Sequence, residues 1–275
     1  MDLAIYQVDA FTDRAFAGNP AGVMPLPSWL PDAKLQAIAA EMNLAETAFF
    51  APAATAQNPD VDGHYHLRWF TPTREVPLCG HATLASAHIL TTFLKPEQRR
   101  LRFDSLSGPL YVAPQGDKLE LDFPVQTFAP RPAALAAVAA AFDVKPVEMY
   151  ASDAYGAYIA LFDSQADVER LQPDMARLAA LDLTVLVTAP GAKPGSGGVD
   201  FVSRYFAPQW GIPEDPVTGS THCILAPFWA RILGKTRFHA RQVSPRGGDL
   251  WLSLEGDRVK IAGHSVCVLK GTISI

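Results

Sequence analysis

Several side chains in this sequence can move protons or hold an anion. Glu46 lies within Asn43-Leu44-Ala45-Glu46-Thr47-Ala48-Phe49-Phe50, where its neighbours on both faces are apolar or small. A carboxylate in such a strand loses hydration, and desolvation raises its pKa toward the range of a general base. The competing reading is an edge-strand glutamate turned out to solvent. His81 offers an acid or base near neutral pH. Asp215, in Pro213-Glu214-Asp215-Pro216, offers a second carboxylate or a substrate anchor, set against the ordinary use of Asp-Pro in a turn. Cys79 is a candidate nucleophile or acid/base thiol.

Two triplets, Cys79-Gly80-His81 and Thr218-Gly219-Ser220, each precede an apolar run with helical character. Unsatisfied backbone N–H groups and the positive end of the dipole converge at a helix start, which favours a bound carboxylate. Glycine lets a ligand approach the backbone closely, although both glycines could simply make strand-to-helix turns. His64 and His66 share a strand face, yet no third ligand has metal-site spacing, so no metal is expected. The loop from Gly195 to Gly198 is neither a Walker loop nor a dinucleotide fingerprint, and no G-x-S-x-G elbow is present.

The elements that must position these residues occur twice. Arg68-Trp69-Phe70-Thr71-Pro72, followed by Val76 and Pro77, matches Arg204-Tyr205-Phe206-Ala207-Pro208, followed by Ile212 and Pro213, about half a chain later. The two glycine triplets follow in the same order. Gly116-Asp117-Lys118-Leu119 then parallels Gly256-Asp257-Arg258-Val259, and Tyr6-x-x-Asp9-Ala10-Phe11 is echoed by Tyr150-x-x-Asp153-Ala154-Tyr155. Turn chemistry explains the Gly-Asp pairs but not the arginine block, so the pattern points to duplication and fusion of a half-length unit. In such a duplicate the two triplets are expected to face one shared cleft. Thr218 then stands opposite Cys79, which excludes a mechanism using two thiols.

Periodicity predicts an α+β fold of two pseudo-symmetric lobes, each a rolled β-sheet around a central helix. Residues 3–8 alternate as a strand, 18–27 read as loop, and 31–42 read as a helix ending at Asn43. Strands are expected at 44–50, 64–70, near Phe103, at 110–112 and at 119–123. The central helices fall at 82–94 and 221–233, the second interrupted by Pro227, which should kink it. A helix apolar on nearly all sides needs strands wrapped around it. The proline-rich stretch 124–132 reads as the linker, giving lobes of 1–124 and 125–275, with the last strand near 266–275 able to cross to the other lobe.

At 49% hydrophobic and 19% charged, the 275 residues have the composition of a chain that builds a sizeable core. The net charge of −5 and the lack of any basic cluster argue against nucleic acid as a partner. No secretory signal or membrane span is visible. Cys79, Cys223 and Cys267 are an odd set without metal spacing, which points to a reduced, cytoplasmic setting.

Five ordered motifs resemble the PhzF-like isomerase family of phenazine biosynthesis. They are Asp9 through Gly18-Asn19-Pro20; Leu44-Ala45-Glu46-Thr47; Cys79-Gly80-His81-Ala82-Thr83; Glu214-Asp215-Pro216-Val217-Thr218-Gly219-Ser220; and Gln242-x-Ser244-Pro245-Arg246-Gly247-Gly248. The resemblance covers essentially the whole chain and implies the diaminopimelate epimerase fold with a cofactor-independent active site between the lobes. It places the family's acidic catalytic residue on Glu46, its histidine on His81, its aspartate on Asp215 and its serine on Ser220. Asn19, Cys79, Gly80, Thr218 and Gly219 are then expected to bind substrate.

The resemblance and the candidate residues together imply an isomerase that shifts a proton, and with it a double bond, within a small carboxylate-bearing metabolite. The family also implies a homodimer. An epimerase or racemase using Cys79 with Glu46, and a non-catalytic ligand-binding module, stay open as alternatives.

Overall fold

The computed structural model describes residues 1–53, 60–192 and 198–275. Of the glycine loop at 195–198, only Gly198 falls within them. The chain divides into two compact units, Met1–Asp122 with Ile261–Ile275, and Phe123–Lys260.

The first unit begins with β1 (Asp2–Ala10) and β2 (Asn19–Pro25), which pair antiparallel. Helix α1 (Asp32–Met42) buries Leu35, Ile38 and Ala39, and Asn43 ends it in the left-handed conformation at φ 49°. The unit continues with β3 (Glu46–Pro52), β4 (Gly63–Phe70) and the short β5 (Glu75–Val76). Next come α2 (Gly80–Ile89), β6 (Leu101–Ser105), β7 (Gly108–Gln115) and β8 (Lys118–Pro124). Here β2–β3 and β4–β6 pair in parallel, whereas β3–β4, β4–β5 and β6–β7 are antiparallel.

In the second unit, β9 (Ala129–Pro130), α3 (Leu135–Ala139), β10 (Glu148–Ser152) and β11 (Ala157–Leu161) lead into α4 (Gln165–Arg170) and α5 (Met175–Ala179). They are followed by β12 (Thr184–Pro190), β13 (Phe201–Ala207) and β14 (Ile212–Asp215). Helix α6 (His222–Leu233), β15 (Arg237–Gln242), β16 (Gly248–Glu255) and β17 (Arg258–Gly263) complete that run. The final strand, β18 (Ser265–Ser274), lies antiparallel along β1 in the first unit.

The order of pairings from β10 to β16 repeats that from β1 to β7. β11–β12 and β13–β15 are parallel, and β10–β11, β12–β13, β13–β14 and β15–β16 are antiparallel. The repeated arginines do the same work in each copy. Arg68 donates from Nε and Nη2 to Glu75 at 2.7 and 2.8 Å, and Arg204 donates likewise to Glu214 at 2.7 and 2.9 Å.

Every residue of α2 except His88 is buried, and the helix packs against β1, β2, β3 and β18. Its hydroxyls are satisfied locally, with Thr83 donating to the Cys79 carbonyl at 2.6 Å and Ser86 to that of Ala82 at 2.8 Å. It runs on into a π-helical turn over Leu90–Leu94.

Three expectations need correction. The stretch 18–27 is not loop: β2 occupies most of it, with Ala21, Val23 and Met24 fully buried. Its glycine serves close packing, since a Cβ at Gly22 would come within 2.9 Å of Thr47 Oγ1 on β3. β3 starts two residues later than expected, so Glu46 is its first residue.

The linker is also partly ordered, because Ala129–Pro130 pairs with β10. Its Gln126 N–H donates to the Cys223 carbonyl at 3.0 Å. That carbonyl is the one that Pro227, inside α6, has no N–H to satisfy, so the helix runs through the proline with its ladder completed from outside.

Candidate active site

The β3 register that places Glu46 is fixed by its parallel pairing with Ala21 of β2. Its side chain is 12% exposed, and Oε2 lies 3.2 Å from Nε2 of His81, whose side chain is 5% exposed. His81 is the second residue of α2. Cys79 precedes the helix in an extended conformation, and no side chain caps the helix start. Such a start directs its first N–H groups and the positive end of its dipole toward an anion.

On the opposite edge of the imidazole, Nδ1 meets Asn19 Nδ2 at 3.2 Å and Cys79 Sγ at 3.5 Å. Asn19 is fully buried and opens β2. The preceding Gly18 has a φ of +64°, and a Cβ there would come 2.2 Å from the Ala10 carbonyl oxygen, so only glycine fits.

Glu46, Cys79 and His81 hold ligand-type atoms within 4.8 Å of one another. His81 presents Nε2 to Glu46 at 3.2 Å and Nδ1 to Cys79 at 3.5 Å. The same three groups, a carboxylate, an imidazole and a thiol, are also ones that can take and give protons. His64, the other candidate ligand, is bound through Nε2 to Asp104 at 2.7 Å.

In the second unit, Asp215 ends β14 and is 9% exposed. Its Oδ2 accepts a hydrogen bond from the Thr218 hydroxyl at 2.5 Å. Gln242, fully buried, clamps the same turn. Its Nε2 donates to the Asp215 carbonyl at 2.7 Å, and its Oε1 accepts the Thr218 N–H at 2.8 Å. Ser244 adds a bond from its hydroxyl to the Pro216 carbonyl at 2.7 Å. Thr218 precedes the short 3-10 turn Gly219–Thr221 that leads into α6.

Ser220 Oγ lies 2.6 Å from the Tyr155 hydroxyl. Burial, the largest cause, pushes the Tyr155 pKa well above its ordinary value, so the phenol stays protonated. Burial likewise pushes the Cys223 thiol up to about 12, which makes it an unreactive sulfur.

Glu46, His81, Cys79, Gly80 and Asn19 thus gather in the first unit, and Asp215, Thr218, Gly219 and Ser220 in the second. Tyr155 and Gln242 are the residues that sequence reasoning passed over. Both lay inside recognised patterns, Tyr155 at the end of the Tyr150 echo and Gln242 at the head of the last motif. Neither pattern says which side chain a residue will reach 65 or 24 positions away.

Residues 8–271 match the family described as phenazine biosynthesis-like protein, PhzC-PhzF. A Pseudomonas aeruginosa protein named as an uncharacterized isomerase is 45% identical over 276 residues, spanning 100% of both chains. A solved PhzF-family phenazine biosynthesis protein from Enterococcus faecalis matches with a TM-score of 0.89 at 41% identity, again over 100% of both chains. In fold alone, a hydroxyproline epimerase from Agrobacterium vitis is also similar, with a TM-score of 0.55 at 11% identity over 99% of this chain and 92% of that one.

The architecture is therefore the one shared by PhzF proteins and epimerases of this type. The chain belongs to the phenazine biosynthesis-like (PhzC-PhzF) family, and its kinship with proteins named as isomerases supports isomerase activity. Among the described residues, no helix is long and apolar enough to cross a membrane.

Proposed function

We propose that the protein isomerises a small carboxylate-bearing metabolite by moving a proton between two carbons, using side chains alone. Glu46 removes the proton from one carbon; the electron pair left behind shifts the double bond, and Glu46 returns the proton at the second carbon. Asp215 and Ser220 position the substrate and relay protons on its polar groups, and the start of α2 receives the carboxylate. What carries this reading is the buried contact of Glu46 Oε2 with His81 Nε2 at 3.2 Å. It holds a carboxylate in a dry setting beside a titratable ring, the arrangement that general acid–base catalysis requires.

A pool of small carboxylic acids incubated with the protein in deuterated water tests this by mass spectrometry. Incorporation of deuterium at carbon, with a shifted double bond, is the expected result. Label gained by trans-4-hydroxy-L-proline with inversion at its α-carbon would instead favour the epimerase alternative. Ligand binding without any exchange would favour the non-catalytic module. The family resemblance extends to a cytoplasmic homodimer, and light scattering at micromolar concentration tests the assembly.

A further inference from the structure

We propose that Asn19 is a positioning residue that fixes His81 as its Nε2–H tautomer and thereby keeps the Cys79 sulfur a thiol; the assignment deepens the proton-transfer function proposed above. With the Asn19 amide turned so that Nδ2 lies 3.2 Å from Nδ1 of His81, the amide donates and Nδ1 presents its lone pair. In the neutral ring the proton then sits on Nε2, which faces the Glu46 carboxylate at 3.2 Å. The reverse tautomer would set a bare nitrogen lone pair against that carboxylate and drive an N–H into the Asn19 amide. Both edges of the ring select the same proton position.

This tautomer has two consequences. His81 then turns its proton-bearing nitrogen toward the Glu46 carboxylate, which leaves Glu46 as the base that accepts the substrate proton. Cys79 Sγ shares Nδ1 with Asn19 at 3.5 Å. A thiolate paired with imidazolium would need a proton on Nδ1, where the Asn19 amide already points its own. Cys79 therefore remains protonated in the resting protein.

The second unit uses the same position. Ala21 of β2 pairs in parallel with Glu46, and Ala157 of β11 pairs in parallel with Thr184. Two residues before each alanine stand Asn19 and Tyr155. Each reaches the third residue of the triplet that starts the following helical segment, His81 in one unit and Ser220 in the other. Asn19 does so from the start of β2 and Tyr155 from the turn before β11, so each unit holds its triplet from this side with different chemistry.

Nitrogen-15 NMR of protein labelled in its histidine rings tests the assignment without any substrate. The His81 signals are identified by their disappearance in His81→Gln. At pH 7 to 8 the wild-type ring should show a protonated Nε2 and an unprotonated Nδ1. Asn19→Asp offers an acceptor in place of the donor and should protonate Nδ1. A wild-type ring protonated at Nδ1, or ring nitrogens unmoved in a folded Asn19→Asp protein, would overturn the proposal. If Asn19→Asp does not fold, the wild-type spectrum decides alone. Failure of the isomerase function would show only in exchange at substrate carbon, so the two failures are distinguishable.

Discussion

Glu46 and Thr184 hold the same register position in two units built from the same order of strand pairings; each opens a strand, and each pairs in parallel with an alanine. Only one of them is a carboxylate. Thr184 instead donates its hydroxyl to the Gly156 carbonyl at 2.9 Å and accepts one from Tyr205 at 3.0 Å. The same divergence separates His81 from Ser220 and Cys79 from Thr218. The first unit has a glutamate, a histidine and a cysteine at these positions, and the second has hydroxyls, with Thr218 bonded to Asp215. The proposed mechanism asks for one base only, Glu46, to take and return the proton.

Gly18 is required for Asn19 to reach His81. Ala at this position would meet both the left-handed backbone, at φ +64°, and the Ala10 carbonyl oxygen 2.2 Å away. Gly18→Ala should lower stability by about 2 kcal/mol or more. It should also displace the Asn19 amide, so the His81 ring spectrum should lose its single Nε2–H form even where the variant folds. Chemical denaturation and the same NMR measurement check the two effects.

The paired arginines should differ in what they contribute. The Arg204 and Glu214 side chains are only 9% and 15% exposed, and Arg204 Nη1 also donates to the Leu171 carbonyl at 2.9 Å. Arg204→Met would leave a largely buried carboxylate uncompensated, at a cost of about 3–5 kcal/mol. Arg68 and Glu75 are 24% and 25% exposed, and water can take over part of the lost contact. Arg68→Met should cost about 1–2 kcal/mol, and urea denaturation of the two variants compares them directly.

His222 makes the protein acid-sensitive in a defined window. Burial, the dominant cause, lowers its pKa from 6.5 to about 4, against a smaller opposing effect of the Thr218 carbonyl that its Nδ1 contacts at 2.9 Å. Between those values the unfolded chain binds a proton that the folded one refuses. Stability from this group is therefore complete above pH about 6.5 and falls as pH drops toward 4, by up to about 1.4 kcal/mol per pH unit. His222→Asn, which retains a donor for Thr218, should flatten that part of the pH–stability curve. An unchanged slope would assign the acid sensitivity to other groups.

The sequence made the repeated strand order readable because the Arg-aromatic-Phe-x-Pro block recurs with its following Val/Ile-Pro pair, in the same order as the glycine triplets and the Gly-Asp turns. The central helices were readable from their apolar runs. What escaped was β2, where Pro20, Gly22 and Pro25 look like loop punctuation. Within the sheet Gly22 makes room for Thr47, and the strand lies between β1 and β3. Glu46, His81 and Cys79 stood out by residue type. The contacts of Asn19 with His81 and of Tyr155 with Ser220 did not, because they join residues 62 and 65 positions apart that no local pattern links.

Exchange of substrate hydrogen with solvent in Glu46→Gln tests the central claim most directly. Glutamine keeps the shape and hydrogen-bonding capacity of the side chain but cannot accept a proton. With a carboxylic acid that the wild-type protein labels in deuterated water, Glu46→Gln should still bind, while the rate of deuterium incorporation at carbon falls by about 100-fold or more. Near-normal incorporation by a folded Glu46→Gln protein would contradict the assignment and move the base to His81 or Asp215.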